Sequence, residues 1–267
     1  MDTDSDSDLD LESDYGRIWS AGNLPSSYSG SGLFLRHNPH VNATKLREEI
    51  LPFKITYQKF RTAKRPRVYN PYFVRTKRKI FQSDLIFMRN PPQMVKDNGG
   101  YQYILIVMDI FSRKIWTAPL KNKKGAAVRP ALQKIFRKIG NLHKNARIII
   151  DRGTEYLNNP VKQLLHNFGL SITHPSDGHA AHVERANLSL QRLIYQHMTE
   201  VGGKRKWLAY LPTATEIMNT RYHRIIKMTP EQAEMNNNRA SVNDAMSLYR
   251  HKAFMKQSKR IKNRVKK

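Results

Sequence analysis

The chain has 267 residues, a formal net charge of +26 and no cysteine. An excess this large points to a polyanionic partner, most simply nucleic acid, and the missing thiols exclude disulfides and any cysteine-ligated zinc site. No apolar run approaches the ~18 residues of a membrane-spanning helix and no signal peptide is visible, so a soluble intracellular protein is expected, with neither membrane nor zinc.

Residues 1–14 hold seven acids and no base. An alternating Asp/Ser arm buries no core, and residues 1–30 are expected to form an acidic disordered arm. Residues 15–45 are rich in Gly, Ser, Asn and Pro and read as loop or weak structure. Thr44 is placed to cap a short helix over 45–52. Residues 31–79 read as a basic N-terminal extension. From Lys54 to Lys79, ten bases and no acid are interleaved with Tyr57, Phe60, Tyr69, Tyr72 and Phe73. Cationic side chains hold phosphates and aromatic rings stack on nucleobases. That nominates Arg61, Lys64, Arg65, Arg67, Lys77, Arg78 and Lys79 for DNA contact.

A compact pattern follows over 80–232. Residues 80–88 read as a strand, Gly99-Gly100 as a turn, 101–109 as a buried strand and 112–120 as a third, closing an antiparallel meander. Val128, Leu132, Ile135, Phe136 and Ile139 recur at helical spacing within 125–139. A strand over 146–150, a helix over 158–168 ended by Gly169, and a short strand over 170–173 come next. Helices over 181–199 and 204–220 complete the body, the second threatened with a kink at Pro212. This order predicts an α/β protein with a five-stranded mixed sheet covered by helices on both faces. Residues 233–267 read as a basic, partly helical tail. Its cluster of Lys256, Lys259, Arg260, Lys262, Arg264, Lys266 and Lys267 suits phosphate contact or nuclear import, and the nucleus is the expected location.

Three carboxylates stand out. Asp84 lies inside the apolar run of the first strand, Asp151 directly follows Ile148-Ile149-Ile150, and Glu184 opens a helix. Singly, each has a plain reading as a strand-end cap, a turn residue or a helix N-terminal charge. Together they are costly: two carboxylates ~4 Å apart repel by about 4 kcal/mol at an effective dielectric near 20. A divalent cation reverses that sign. In-line displacement at a phosphodiester needs charge stabilised on both the attacking and the leaving oxygen, which two metal ions supply. Mg²⁺ needs only a few protein carboxylates to do so.

The words around these acids carry a resemblance. Asp84-Leu85, Gly100-Tyr101-Gln102-Tyr103-Ile104-Leu105, Met108-Asp109-Ile110-Phe111-Ser112-Arg113, Asp151-Arg152-Gly153-Thr154-Glu155-Tyr156, Val183-Glu184-Arg185 and the late Asn219, His223 and Thr229-Pro230 resemble a retroviral-type integrase catalytic core, of the RNase H-like superfamily. The closest flavour is that of Maverick/Polinton-type transposon integrases. The resemblance implies an RNase H-like fold. It also implies a DNA integrase that cleaves donor ends and joins them to target DNA, working as a homo-multimer on DNA with two Mg²⁺ (or Mn²⁺) ions. Asp84 would bridge both ions, and Asp151 and Glu184 would each complete one. Asp109 is a rival first acid, placed outside the triad by the family pattern.

The helix that opens at Glu184 would present Glu184, Asn187, Leu188, Gln191 and Tyr195 on one side. Arg185, Asn187, Gln191 and Arg192 are its candidate DNA contacts, although both arginines point elsewhere. With so few cations on that face, two alternatives stay open. One is a decayed or domesticated integrase that only binds DNA, and the other is an RNase H-like nuclease without strand joining.

Overall fold

A computed structural model describes residues 31–46, 74–150, 156, 158–174, 181–202 and 205–265. The acidic arm lies outside these residues. So do Arg61, Lys64, Arg65 and Arg67, and so does Asp151.

Five strands form one sheet in the order β3-β2-β1-β4-β5. They are β1 (Ile80–Phe87), β2 (Tyr103–Asp109), β3 (Ile115–Leu120), β4 (Arg147–Ile150) and β5 (Ser171–Thr173). β1 pairs antiparallel with β2, and β2 with β3, whereas β1–β4 and β4–β5 are parallel. The mixed sheet follows from the chain order. A loop carrying one short helix joins β1 to β2, a short turn joins β2 to β3, and helical crossovers join the rest.

Alternation along the strands divides the core into two layers. Phe81 and Leu85 of β1, with Tyr103, Leu105 and Val107 of β2, face α4 (Gly125–Ile139) and α5 (Asn159–Asn167). Ile86, Ile104, Ile106 and Met108 face α6 (Ala181–Glu200) and α7 (Trp207–Thr220). α4 buries Val128, Leu132, Ile135, Phe136 and Ile139, as its periodicity predicts. α5 starts where Asn158 Oδ1 accepts the Val161 amide at 3.1 Å, and Gly169 takes φ 73° just past its end. The outer edge of β3 is stitched to α7, because Asn219 both accepts from the Ile115 amide and donates to its carbonyl, each at 2.9 Å. α7 runs through Pro212 as one helix.

Several expectations are revised. Residues 31–37 are not loop but helix α1 (Ser31–His37), with Phe34 fully buried against α6 and α7. A short helix, α2 (Ala43–Lys45), starts two residues ahead of the helix expected over 45–52, and residues 47–52 lie outside the described residues. Asn42, not Thr44, caps α2, its Oδ1 accepting the Thr44 amide at 3.0 Å. A further helix, α3 (Pro92–Asp97), follows β1. The third strand starts at Ile115 rather than Ser112, because Asp109 ties Ser112 into the preceding turn. At the other end, α8 (Pro230–Glu234) opens with a capping box between Thr229 and Gln232. It is followed by α9 (Arg239–Val265). The boundary expected at residue 232 therefore falls inside α8. The first turns of α9 pack Val242 and Met246 into a third cluster with Ile80, Phe111, Ile149 and Ile226.

Candidate active site

Gln82, Asp84 and Ile86 alternate along β1 and face α6. Gln82 is buried, and its Oε1 accepts the backbone N–H groups of His182 at 3.2 Å and Val183 at 3.0 Å. The opening turn of a helix leaves such N–H groups without an intrahelical partner. A side chain from the sheet thus caps α6 and fixes where it begins. One turn on, Asn187 reaches back to the strand, and its Nδ2 donates to Asp84 Oδ2 at 2.6 Å. Asp84 Oδ1 accepts the Leu85 amide at 2.7 Å. Glu184, three residues before Asn187, lies on the same side of α6 and is half-buried. Two of the three acids singled out in the sequence are therefore carried by one strand and the helix capped onto it.

The third stands beyond the described residues. Ser83 pairs with Ile150, the last residue of β4, in parallel register. Asp151 follows Ile150 in the sequence. Among the described residues, no group of three His, Cys, Asp or Glu side chains is arranged to hold a metal.

Asp109 has a different setting. It is fully buried at the end of β2, where Oδ1 accepts the Arg78 amide at 3.0 Å and Oδ2 accepts the Ser112 amide at 2.9 Å and hydroxyl at 2.7 Å. Burial pushes its carboxyl up to about 6, against the opposing pull of the Ser112 hydrogen bonds. These contacts make it the peg of the β2–β3 turn. Beside the start of α6, His182 and His223 are both pushed down to about 3, first by burial and then by Arg113. Both imidazoles are neutral at physiological pH.

The remaining nominated DNA contacts divide by environment. Lys77 donates to the Glu234 carbonyl, and Arg78 grips the Glu234 carboxylate through Nη2 at 2.8 Å and Nε at 3.2 Å. Both residues fasten α8 to the start of β1. Lys79, Gln191 and Arg192 are half-buried, while Arg185 is exposed. Asn187 is buried and faces Asp84 rather than solvent. Sequence reasoning missed Gln82, whose signal was its place two residues before Asp84 on the same face.

With this geometry in view, the likenesses to known proteins are specific. Residues 79–180 match the family described as integrase core domain. A simian T-cell lymphotropic virus intasome, solved in complex with PP2A regulatory subunit B56 gamma, superposes with a TM-score of 0.53 at 16% identity, covering 78% of this chain and 69% of that one. The fold is that of an integrase catalytic core. The HTLV-2 integrase catalytic core, solved with magnesium, gives a TM-score of 0.49 at 14% identity over 59% of this chain and 97% of that one. A transposon-derived protein of Caenorhabditis elegans is 36% identical over 125 residues, 46% of this chain and 42% of that protein. The chain thus spans less than half the length of that curated relative.

Proposed function

We propose that this integrase-fold chain is a DNA integrase core: a polynucleotidyl transferase that cleaves donor DNA ends and joins the freed 3′ hydroxyl to target DNA. The observation that carries the proposal is the pair of contacts binding α6 to β1, namely Gln82 under the helix start and Asn187 on Asp84. They support placing Glu184, three residues before Asn187, on the side of α6 that faces Asp84. The parallel register of β1 with β4 supports adding Asp151, the residue after Ile150, to the same locus.

The donor set suits Mg²⁺ or Mn²⁺, since every nominated ligand is a hard carboxylate oxygen. One local feature favours a cation there. Among the described residues, Asn187 Oδ1 is buried beside Asp84 with no hydrogen-bond partner, an oxygen whose desolvation no described group offsets. Two bound ions would supply charge neutralisation for the attacking and leaving oxygens. The chain's own part is positional. Asn187 orients the Asp84 carboxylate, and Gln82 sets the height of Glu184 above it. The basic surface draws the phosphodiester backbone in.

By the same reading, the chain works as a homo-multimer on DNA, in the nucleus, and is akin to Maverick/Polinton-type elements. The test uses purified protein and a labelled short duplex, with and without Mg²⁺ or Mn²⁺, scored for nicked and joined products. Asp84→Asn, Asp151→Asn and Glu184→Gln are each expected to abolish both products while DNA affinity is kept or raised. Undiminished nicking in any one of them removes that acid from the site, and nicking without joining converts the reading to a nuclease.

A further inference from the structure

The outer surface of α4 lies on the side of the sheet away from α6, and the chemistry proposed above does not use it. Its charge is one-sided. Residues 110–150 carry eleven bases and no acid. α4 turns its apolar stripe inward and leaves Arg129, Lys134, Arg137 and Lys138 exposed, and Lys123 and Lys124 are exposed just ahead of it. Lys121 differs, because its ammonium lies 5.3 Å from the centre of the Tyr101 ring. None of the other six is in an ion pair among the described residues. A surface shaped only by solvation would intersperse acids at i,i+4 spacing, since such pairs support a helix. Lysines ahead of a helix start also oppose the helix dipole, and α4 has no acid in its first turn to offset them. The fold gains nothing from this arrangement, whereas a polyanion would gain from all of it.

Position adds to composition. β1, β3 and β4 point the same way, so they finish at one end of the sheet. Lys123 and Lys124 follow β3 directly at that end. Gly125 there packs so closely on the Asn158 side chain that a Cβ would lie 2.3 Å from it. From this point α4 runs 15 residues, about 22 Å at ~1.5 Å per residue. That is about two-thirds of a ~34 Å turn of B-DNA.

We propose that Lys123, Lys124, Arg129, Lys134, Arg137 and Lys138 form a track for the phosphate backbone of duplex DNA. A duplex, with a persistence length of about 150 bp, does not fold around the edge of so small a body. The segment held by α4 is therefore a different one from the segment at the carboxylates. Contact is assigned to phosphates, which position the duplex and carry no sequence information.

The full-length chain is titrated against a labelled duplex of about 30 bp in EDTA across a salt series, so the outcome does not depend on metal chemistry or on the three acids. The six-fold glutamine variant is compared with it, Gln being close to Lys and Arg in helix propensity. Each lost phosphate contact removes about 0.9 from the log–log salt slope, and the variant is expected to be shallower by about 3 to 5. In parallel, Lys123, Lys124, Lys134 and Lys138 of the unmodified chain are expected to be protected from acylation by bound duplex. A slope within about 1 of the unmodified chain overturns the proposal, as does equal acylation with and without DNA. Should the variant fail to fold by circular dichroism, the acylation result decides alone.

Discussion

Asp109, His182 and His223 are titratable groups enclosed in the body, and their environments pull stability in opposite directions with pH. Asp109 titrates at about 6 in the fold, above its ordinary value. Its contribution is therefore full below about pH 4 and is lost as pH rises through 6. The histidines titrate at about 3, below their ordinary 6.5. The unfolded chain takes up their protons first as pH falls, so their contribution is full above 6.5 and declines on acidification. Magnitudes decide the outcome. At pH 5 each histidine has lost about 2 kcal/mol, whereas Asp109 has regained only about 1. Urea unfolding is expected to show a net loss between pH 7 and pH 5. His182→Gln and His223→Gln should each flatten that decline, and a stability that rises on acidification would contradict the assignment. Arg113, Arg185 and Arg224 stand around the pair. Protonating either ring would add positive charge to a cluster that already repels it.

Among the elements, α6 is the one on which the site turns, and its start depends on a residue 100 positions away. Removing the acceptor with Gln82→Ala leaves two amides of the first turn uncapped. Loss of a cap typically costs about 1 kcal/mol. Hydrogen exchange is expected to quicken at residues 183–187 and to stay unchanged in α7, with metal-dependent nicking falling while DNA affinity in EDTA holds. Equal protection at 183–187 in both proteins would show that the cap does not set the helix. This dependence also explains which parts of the fold the sequence discloses. The stripe of α4 and the alternation of β2 are local periodicities, and both are present as read. The capping role of Gln82 is not local. Its alternation with Asp84 says that it faces inward but not what it meets. Helix α1 escaped for a related reason. Seven residues between glycines and a proline have little helical preference of their own, and burial of Phe34 overrides it. Asp84 and Glu184 were legible because acids on apolar segments need a partner. The direct Asn187 contact was not, because its helical face was read as a surface for DNA.

At the scale of the whole molecule, the match to the integrase core begins at residue 79, but the packed body begins earlier. Phe34, Val41 and Leu46 are buried in the same cluster as Trp207, Leu211 and Met198. Arg36 lies 3.9 Å from the centre of the Tyr222 ring. That contact ties α1 to the turn that carries His223. Burying an aliphatic or aromatic side chain fully is worth about 1.5–3 kcal/mol, and a cation over an aromatic face about 1 kcal/mol more. Three such side chains together approach the 5–15 kcal/mol by which ordinary domains are stable. A chain starting at residue 74 is therefore expected to lose about 5 kcal/mol or more, enough to leave it partly unfolded. A chain starting at residue 15 should keep its stability, because residues 1–14 hold seven acids and no apolar side chain but Met1, Leu9 and Leu11. Urea midpoints of the two truncations against the full chain measure the difference. If the chain starting at 74 unfolds at the same urea concentration as the full chain, α1 is an ornament on a self-sufficient core. If it does not, the segment ahead of the core is a structural third of the α6–α7 layer, and Phe34→Ala alone should reproduce about 3 kcal/mol or more of the loss through the cavity it leaves.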